Sequence, residues 1–274
     1  MSDPRIEVDR LSVAFRVPRR PARSAKDSVV HLLRHGRGTE TIWAIRDVSL
    51  TVQRGEIVGL VGANGAGKST LLRCLAHVLA PSQGRVVVRG AVAPLLTLGA
   101  PFNPDLTGRE NVIRFGALMG RDHREVERRA GAIAEWAGLS EYLDLPLRAY
   151  SSGMAARLAF GVATDGEPDV LLMDEIHAVG DAAFRAHSFE RVERILARGA
   201  SAILVSHSPG LIRERCSRII WLDRGEVRAE GTFEEIAPLY RAELGRHRKV
   251  ALTGDAEAPS EVPEPPRGDA ARGL

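Results

Sequence analysis

The chain has 274 residues, 44% hydrophobic and 27% charged, and its 38 basic and 35 acidic residues leave a formal net charge of only +3. That length holds one substantial core and a smaller subdomain, and the mostly interspersed charges give no reason to expect a stripe for nucleic acid. No run of eighteen apolar residues is present to cross a bilayer, the opening MSDPRIEVDR lacks the basic-then-apolar order of a signal peptide, and Cys74 and Cys216 have no metal-ligand spacing; a cytoplasmic protein with two buried free thiols is expected.

Residues 5–13 and 47–52 alternate apolar and polar side chains, as half-buried strands do. Between them, over about 16–42, lies an insertion whose stretch from Arg16 to Arg37 is strongly basic and opposed only by Asp27. Asp27 can cap a short helix there, with Val29, Val30, Leu32 and Leu33 on one face. The segment reads either as a solvated loop or as a patch beside anionic lipid headgroups. Residues 57–61 form an apolar run into a Gly-rich turn and a helix over 68–79, stopped by the turn at 81–84. A strand follows at 85–88. From 107 to about 163 the pattern turns helical, with Thr107 and Glu110 as a capping-box pair and Asp122 capping a second helix that runs to about Trp136. Alternation of strand and helix returns at Asp169, with apolar strands at 170–173, 201–205 and 219–222 and a hairpin-like turn at 223–225. A helical patch over about 100–165 inside a β/α protein implies two lobes within a domain of 1–245. The extension 246–274, rich in Pro, Ala, Gly and acid, is expected to stay mostly disordered.

The strongest chemical signal is Gly62-Ala63-Asn64-Gly65-Ala66-Gly67-Lys68-Ser69-Thr70, a P-loop pattern set between an apolar strand and a helix. Its glycines let backbone N–H groups curl round the phosphates of ATP, Lys68 supplies charge, and the Ser69 hydroxyl can ligate Mg²⁺. Residues 170–175 form an apolar strand ending in two carboxylates near those phosphates. Asp174 would hold the Mg²⁺, and Glu175 would act as general base on the attacking water. Tyr150-Ser151-Ser152-Gly153-Met154 then leads into a helix, where a hydroxyl and free N–H groups suit an anion, although an ordinary serine N-cap has the same appearance.

At this motif the sequence resembles the ABC-transporter ATPases, whose signature reads LSGGQ, and the variant YSSGM resembles the branch that exports polysaccharides, teichoic acids and O-antigens. The resemblance covers about 5–240. It implies an α/β fold: a P-loop, RecA-like core with an antiparallel β subdomain and an inserted helical signature subdomain. It also implies a homodimer in which Ser151 and Gly153 of one copy close over the ATP held by the other. Residues 176–181 resemble the D-loop, with Asp181 as its aspartate, and His207 resembles the switch histidine that reaches the γ-phosphate. Residues 104–111 also resemble the export branch, near the surface where family members grip a separate membrane permease, implied here in two copies. The metal-binding glutamine usual between P-loop and signature is missing, since residues 96–99 read Leu-Thr-Leu-Gly, leaving water or Thr97 in its place. Phe15 matches the position of the aromatic that stacks on adenine, with Trp43 as the alternative, and His177 has no assigned role. The expected function is ATP hydrolysis driving export of a lipid-linked polymer from the cytoplasmic face of the membrane, with no nucleic-acid partner. Rival readings are export of a drug or small lipid, a soluble non-transport ATPase of the same type, and a nucleotide-binding regulator without turnover.

Overall fold

The computed structural model describes residues 3–18, 39–96, 102–174, 181–206 and 208–253. The short helix expected around Asp27, Thr97, Glu175, His177, His207 and the tail from 254 lie outside the described residues.

Strands β1 (Ile6–Pro18), β2 (Thr39–Val52) and β4 (Gln83–Val88) pair antiparallel in the order β2-β1-β4. A six-stranded sheet runs β5 (Val92–Leu95), β6 (Val170–Asp174), β7 (Ser201–Val205), β3 (Ile57–Val61), β8 (Arg218–Asp223) and β9 (Glu226–Gly231), parallel except where β9 turns back against β8. Successive side chains leave a strand on opposite faces, so a sheet covered on both sides needs unbroken apolar strands. β6 follows that rule: Val170 and Leu172 pack with Ile203, Leu60, Leu71 and the antiparallel sheet, while Leu171 and Met173 pack with Leu204, Trp221, Phe160 and the helical subdomain. Two cores therefore share one sheet.

Seven helices are described: α1 (Lys68–Leu75), α2 (Gly108–Leu118), α3 (His123–Trp136), α4 (Ser152–Thr164), α5 (Ala182–Ala197), α6 (Pro209–Arg215) and α7 (Phe233–Thr253). The capping box expected at α2 is present, with the Thr107 hydroxyl accepting from Glu110 N–H and Glu110 accepting from Thr107 N–H, and Asp122 caps α3 by accepting from Glu125 N–H at 3.0 Å.

Four expectations on extent are corrected. β1 and β2 run past the core alternation to Pro18 and Thr39, so residues 16–18 and 39–42, assigned to the insertion, belong to strands. Out there the two strands pair with each other and cover no core, which removes the burial pattern that marks a strand. Helix α1 stops at Leu75 rather than 79, because His77 enters the left-handed region at φ 56° and turns the chain. β5 gave no strand signal, having four residues and a proline; it is an edge strand, where Pro94 costs least. α7 continues through the boundary placed at 245 to Thr253.

Candidate functional site

β3 lies in the middle of the parallel sheet with β7 and β8 as neighbours, and its C-terminal end feeds the P-loop, the place where an open α/β sheet leaves a crevice. Gly62 is buried at φ 156°, and a side chain there would run into the Leu222 carbonyl. Gly67, at φ 102°, sits so close to β2 that a Cβ would lie 2.5 Å from the Ala44 oxygen, which pins the antiparallel sheet onto the loop. Ala63, Asn64 and Gly65 form the exposed rim, Ala66 is buried beneath it, and Thr70 is half-buried on α1. Thr107, Asp122, Ser151, Asp181 and Ser208 each cap a helix with a side chain, whereas α1 begins without one. Its first-turn N–H groups are thus left for an anion.

Lys68 donates to the carbonyls of Gly62 at 2.7 Å and Ala63 at 3.0 Å, folding its ammonium back on the loop it serves. Ser69 Oγ donates to Asp174 Oδ2 at 3.0 Å. A hydroxyl and a carboxylate within one hydrogen bond, at the rim of a phosphate cradle, are the hard oxygen donors that Mg²⁺ takes. Among the described residues no cluster of three or more His, Cys, Asp or Glu exists that could hold a metal alone. A metal at this place would draw its remaining ligands from phosphate and water.

Phe15 pairs with Ile42 across the antiparallel ladder, and both are exposed, at 42% and 50%. The alternative, Trp43, is half-buried and lines a separate open cavity with Arg10, Arg46 and Arg85.

The signature motif is on the other lobe. Ser151 accepts from Met154 N–H at 3.2 Å as the N-cap of α4, so its O–H hydrogen remains free to donate, and a Cβ at Gly153 would stand 3.8 Å from the Ser151 hydroxyl, in ordinary contact. Asp181 caps α5 by accepting from Phe184 N–H at 2.9 Å. That bond first, and the nearby Arg157 guanidinium after it, hold its carboxyl below the usual range. Sequence reading missed Arg157, which donates to Asp181 at 2.6 Å and lies 5.0 Å over the Phe184 ring, locking the start of α5 to α4. Its signal was weak: one arginine inside a helix, whose partner is 24 residues away.

Residues 103–107 and the first turn of α2 are held from inside. Asn111 is fully buried; its Nδ2 donates to the carbonyls of Asn103, Leu106 and Thr107, and its Oδ1 accepts from Asn103 N–H at 2.7 Å. Arg109 forks onto Asp144 at 2.7 and 3.1 Å, and the Tyr150 hydroxyl, whose pKa burial raises, donates to the Tyr142 carbonyl at 2.7 Å. Tyr150 adjoins Ser151, so this loop and the signature helix are parts of one hydrogen-bonded unit.

A P-loop beside a Ser–Asp pair on a sheet of this order, with an inserted helical lobe, defines an α/β P-loop nucleotide-triphosphatase. Residues 45–178 match the family model described as ABC transporter. The chain is 39% identical over 258 residues to the ABC transporter protein AbcA of Aeromonas salmonicida, covering 94% of this chain and 80% of that one. It is 44% identical over 198 residues to the O-antigen export system ATP-binding protein RfbB of Klebsiella pneumoniae, covering 72% and 80%. With the teichoic acids export ATP-binding protein TagH of Listeria monocytogenes the identity is 38% over 202 residues, covering 73% and 60%. A solved dimeric ATP-binding cassette, MJ0796 with ADP and Pi, superposes with a TM-score of 0.63 at 20% identity, covering 83% of this chain and 98% of that one. The chain belongs to the ABC transporter family, as an ATP-binding, ATP-hydrolysing member.

Proposed function

We propose that the chain is the ATPase subunit of an exporter for a lipid-linked polysaccharide or teichoic-acid-type polymer. It works as a homodimer on the cytoplasmic face of the membrane with a separate permease, in two copies, that the segment 104–111 grips. The observation that carries the enzymatic part is the Ser69–Asp174 contact at the mouth of an uncapped helix. The polymer cargo is supported by the names of the relatives, an O-antigen and a teichoic acids export protein. Among the described residues no helix is long and apolar enough to cross a membrane, in keeping with a separate permease.

In this reading the N–H groups from Gly62 to Thr70 and the Lys68 ammonium hold the β- and γ-phosphates, while Phe15 stacks on the adenine. Ser69 and Asp174 would hold Mg²⁺, which supplies charge neutralisation at the phosphates when bound. Glu175 takes a proton from the attacking water and His207 donates to the γ-phosphate oxygens. The Ser151 hydroxyl and Gly153 N–H of a second copy close on the same oxygens, and Asp181 sits at that junction. The test is the association state of Glu175→Gln with MgATP, read by light scattering after gel filtration. A dimer that falls apart when ATP is withdrawn is expected. A monomer at every concentration overturns the sandwich. Deleting the gene should trap lipid-linked polymer inside the cell, and unchanged surface polymer overturns the cargo.

A further inference from the structure

A cavity of about 260 Å³ opens between α3, α5 and the turn after α4, away from the P-loop. Four arginines line it, Arg129 from α3 and Arg191, Arg194 and Arg198 along α5 and its end, against two carboxylates, Asp165 and Glu167. The wall thus carries an excess of two positive charges. Asp165, its side chain only 2% exposed, is met by Arg129 at 2.5 Å, Arg121 at 3.1 Å and Arg191 at 3.7 Å. Glu125 meets Arg121 at 2.8 Å, so two carboxylates face these three guanidinium groups and one positive charge is left over. Arg198 pairs with Glu167, Arg121 has a buried Nη1 without an acceptor, and Arg194 makes no ion pair or hydrogen bond among the described residues.

A cluster whose task was only to tie α3 to α5 would be balanced, because each arginine brought in without a counter-charge weakens the junction. Burial lowers the Arg191 pKa, and Arg194 and Arg129 beside it add to the strain on its charge. Its guanidinium nevertheless sits 4.3 Å over the Trp136 ring in the cavity wall. Arginines with a fixed fork and spare donors match phosphate oxygens better than any other side chain.

We propose that this cavity binds a dianionic phosphate group, free or carried on a lipid headgroup, at a site distinct from the P-loop. The five-residue β6 alone puts roughly 13 Å between the strand ends that lead to the two sites. A phosphate seated there bridges α3 of the helical lobe to α5, the helix that begins at Asp181, and so favours one arrangement of the lobes.

The test uses the whole chain with its P-loop saturated by MgADP, titrated calorimetrically with inorganic phosphate and with pyrophosphate, and sedimented with vesicles containing phosphatidic acid. Binding in the millimolar range or tighter is expected, weakened at least tenfold in Arg194→Glu and in Arg198→Gln and retained in Lys68→Ala. Arg194 is exposed, so its replacement should leave the thermal melt and MgATP affinity unchanged. Capture on vesicles without binding of soluble phosphate assigns the headgroup as source, and the reverse assigns a soluble phosphate. No binding to any probe up to about 10 mM overturns the site. Binding that vanishes in Lys68→Ala but survives Arg194→Glu also overturns it, since the anion is then on the P-loop.

Discussion

One aspartate closes the C-terminal end of β6 and another precedes its N-terminal end, and their surroundings differ in sign. Among the described residues Asp174, at the C-terminal end, accepts one hydrogen bond, from the neutral hydroxyl of Ser69. Asp165, five residues before the N-terminal end, is buried under three arginines. Burial alone would push the Asp165 carboxyl up, yet hydrogen bonds from Arg129 and Arg121 hold it below the ordinary carboxylate range. The strand thus carries an under-neutralised acid at the nucleotide end, and the chain leading into its opposite end carries an over-neutralised one. A carboxylate serves a cation when its neighbours leave its charge exposed, and serves the fold when they extinguish it.

The comparison breaks most readily at the nucleotide end. Replacing Glu175, the acid next to Asp174, with Gln should lower ATP turnover by roughly 10²–10⁴-fold while ATP binding persists, and steady-state phosphate release beside a nucleotide-binding titration checks both halves. At the other end, Asp165→Asn leaves three guanidinium groups facing a neutral amide and should cost about 3 to 5 kcal/mol in urea unfolding, against little change for Asp174→Asn. The pH dependence has a definite sign. A lowered folded-state pKa gives stability that is present above the unfolded value and is lost as pH falls through the folded one, so the wild type should keep the Asp165 contribution at neutral pH and shed it only in acid below the usual carboxylate range. The asparagine variant should show a flatter acid limb. Ser69→Ala should raise the Mg²⁺ needed for half-maximal turnover by at least about tenfold with the melt unchanged, which would sharpen the contrast, because this end is built for a ligand rather than for stability. The smallest effect expected is Tyr150→Phe, about 1 kcal/mol from the lost bond to the Tyr142 carbonyl.

How much of this was legible depended on whether the information was local. The Thr107–Glu110 and Asp122 caps are signals within three residues, and both helices begin where those signals place them. Strands β3, β6 and β7 were readable because burial on both faces leaves an unbroken apolar run. The outer halves of β1 and β2 were not, since a ladder that covers no core has no pattern to betray it, and the end of α1 depended on one residue turning left-handed. At the site, the P-loop and Asp174 could be named because the chemistry fixes residue types in order. Arg157 and the arginines around Asp165 escaped notice because their partners lie 24, 26, 36 and 44 residues away, where only the folded chain brings them together.

The inside of the loop at 103–107, which leads into α2, has a consequence for how such subunits diversify. Asn111 satisfies three carbonyls and one N–H of the loop from within, while Pro104 and Asp105 stand exposed above it. Shape is secured by a fully buried residue, and of the two outward side chains only Asp105 has a further contact, an exposed ion pair with Arg148 at 3.7 Å. Substitutions at 104 and 105 should therefore retune which permease is accepted while the melting temperature stays put, whereas Asn111→Ala should dissolve the docking surface itself. On the proposed docking role, two exposed residues over a rigid support are enough to exchange one transport partner for another.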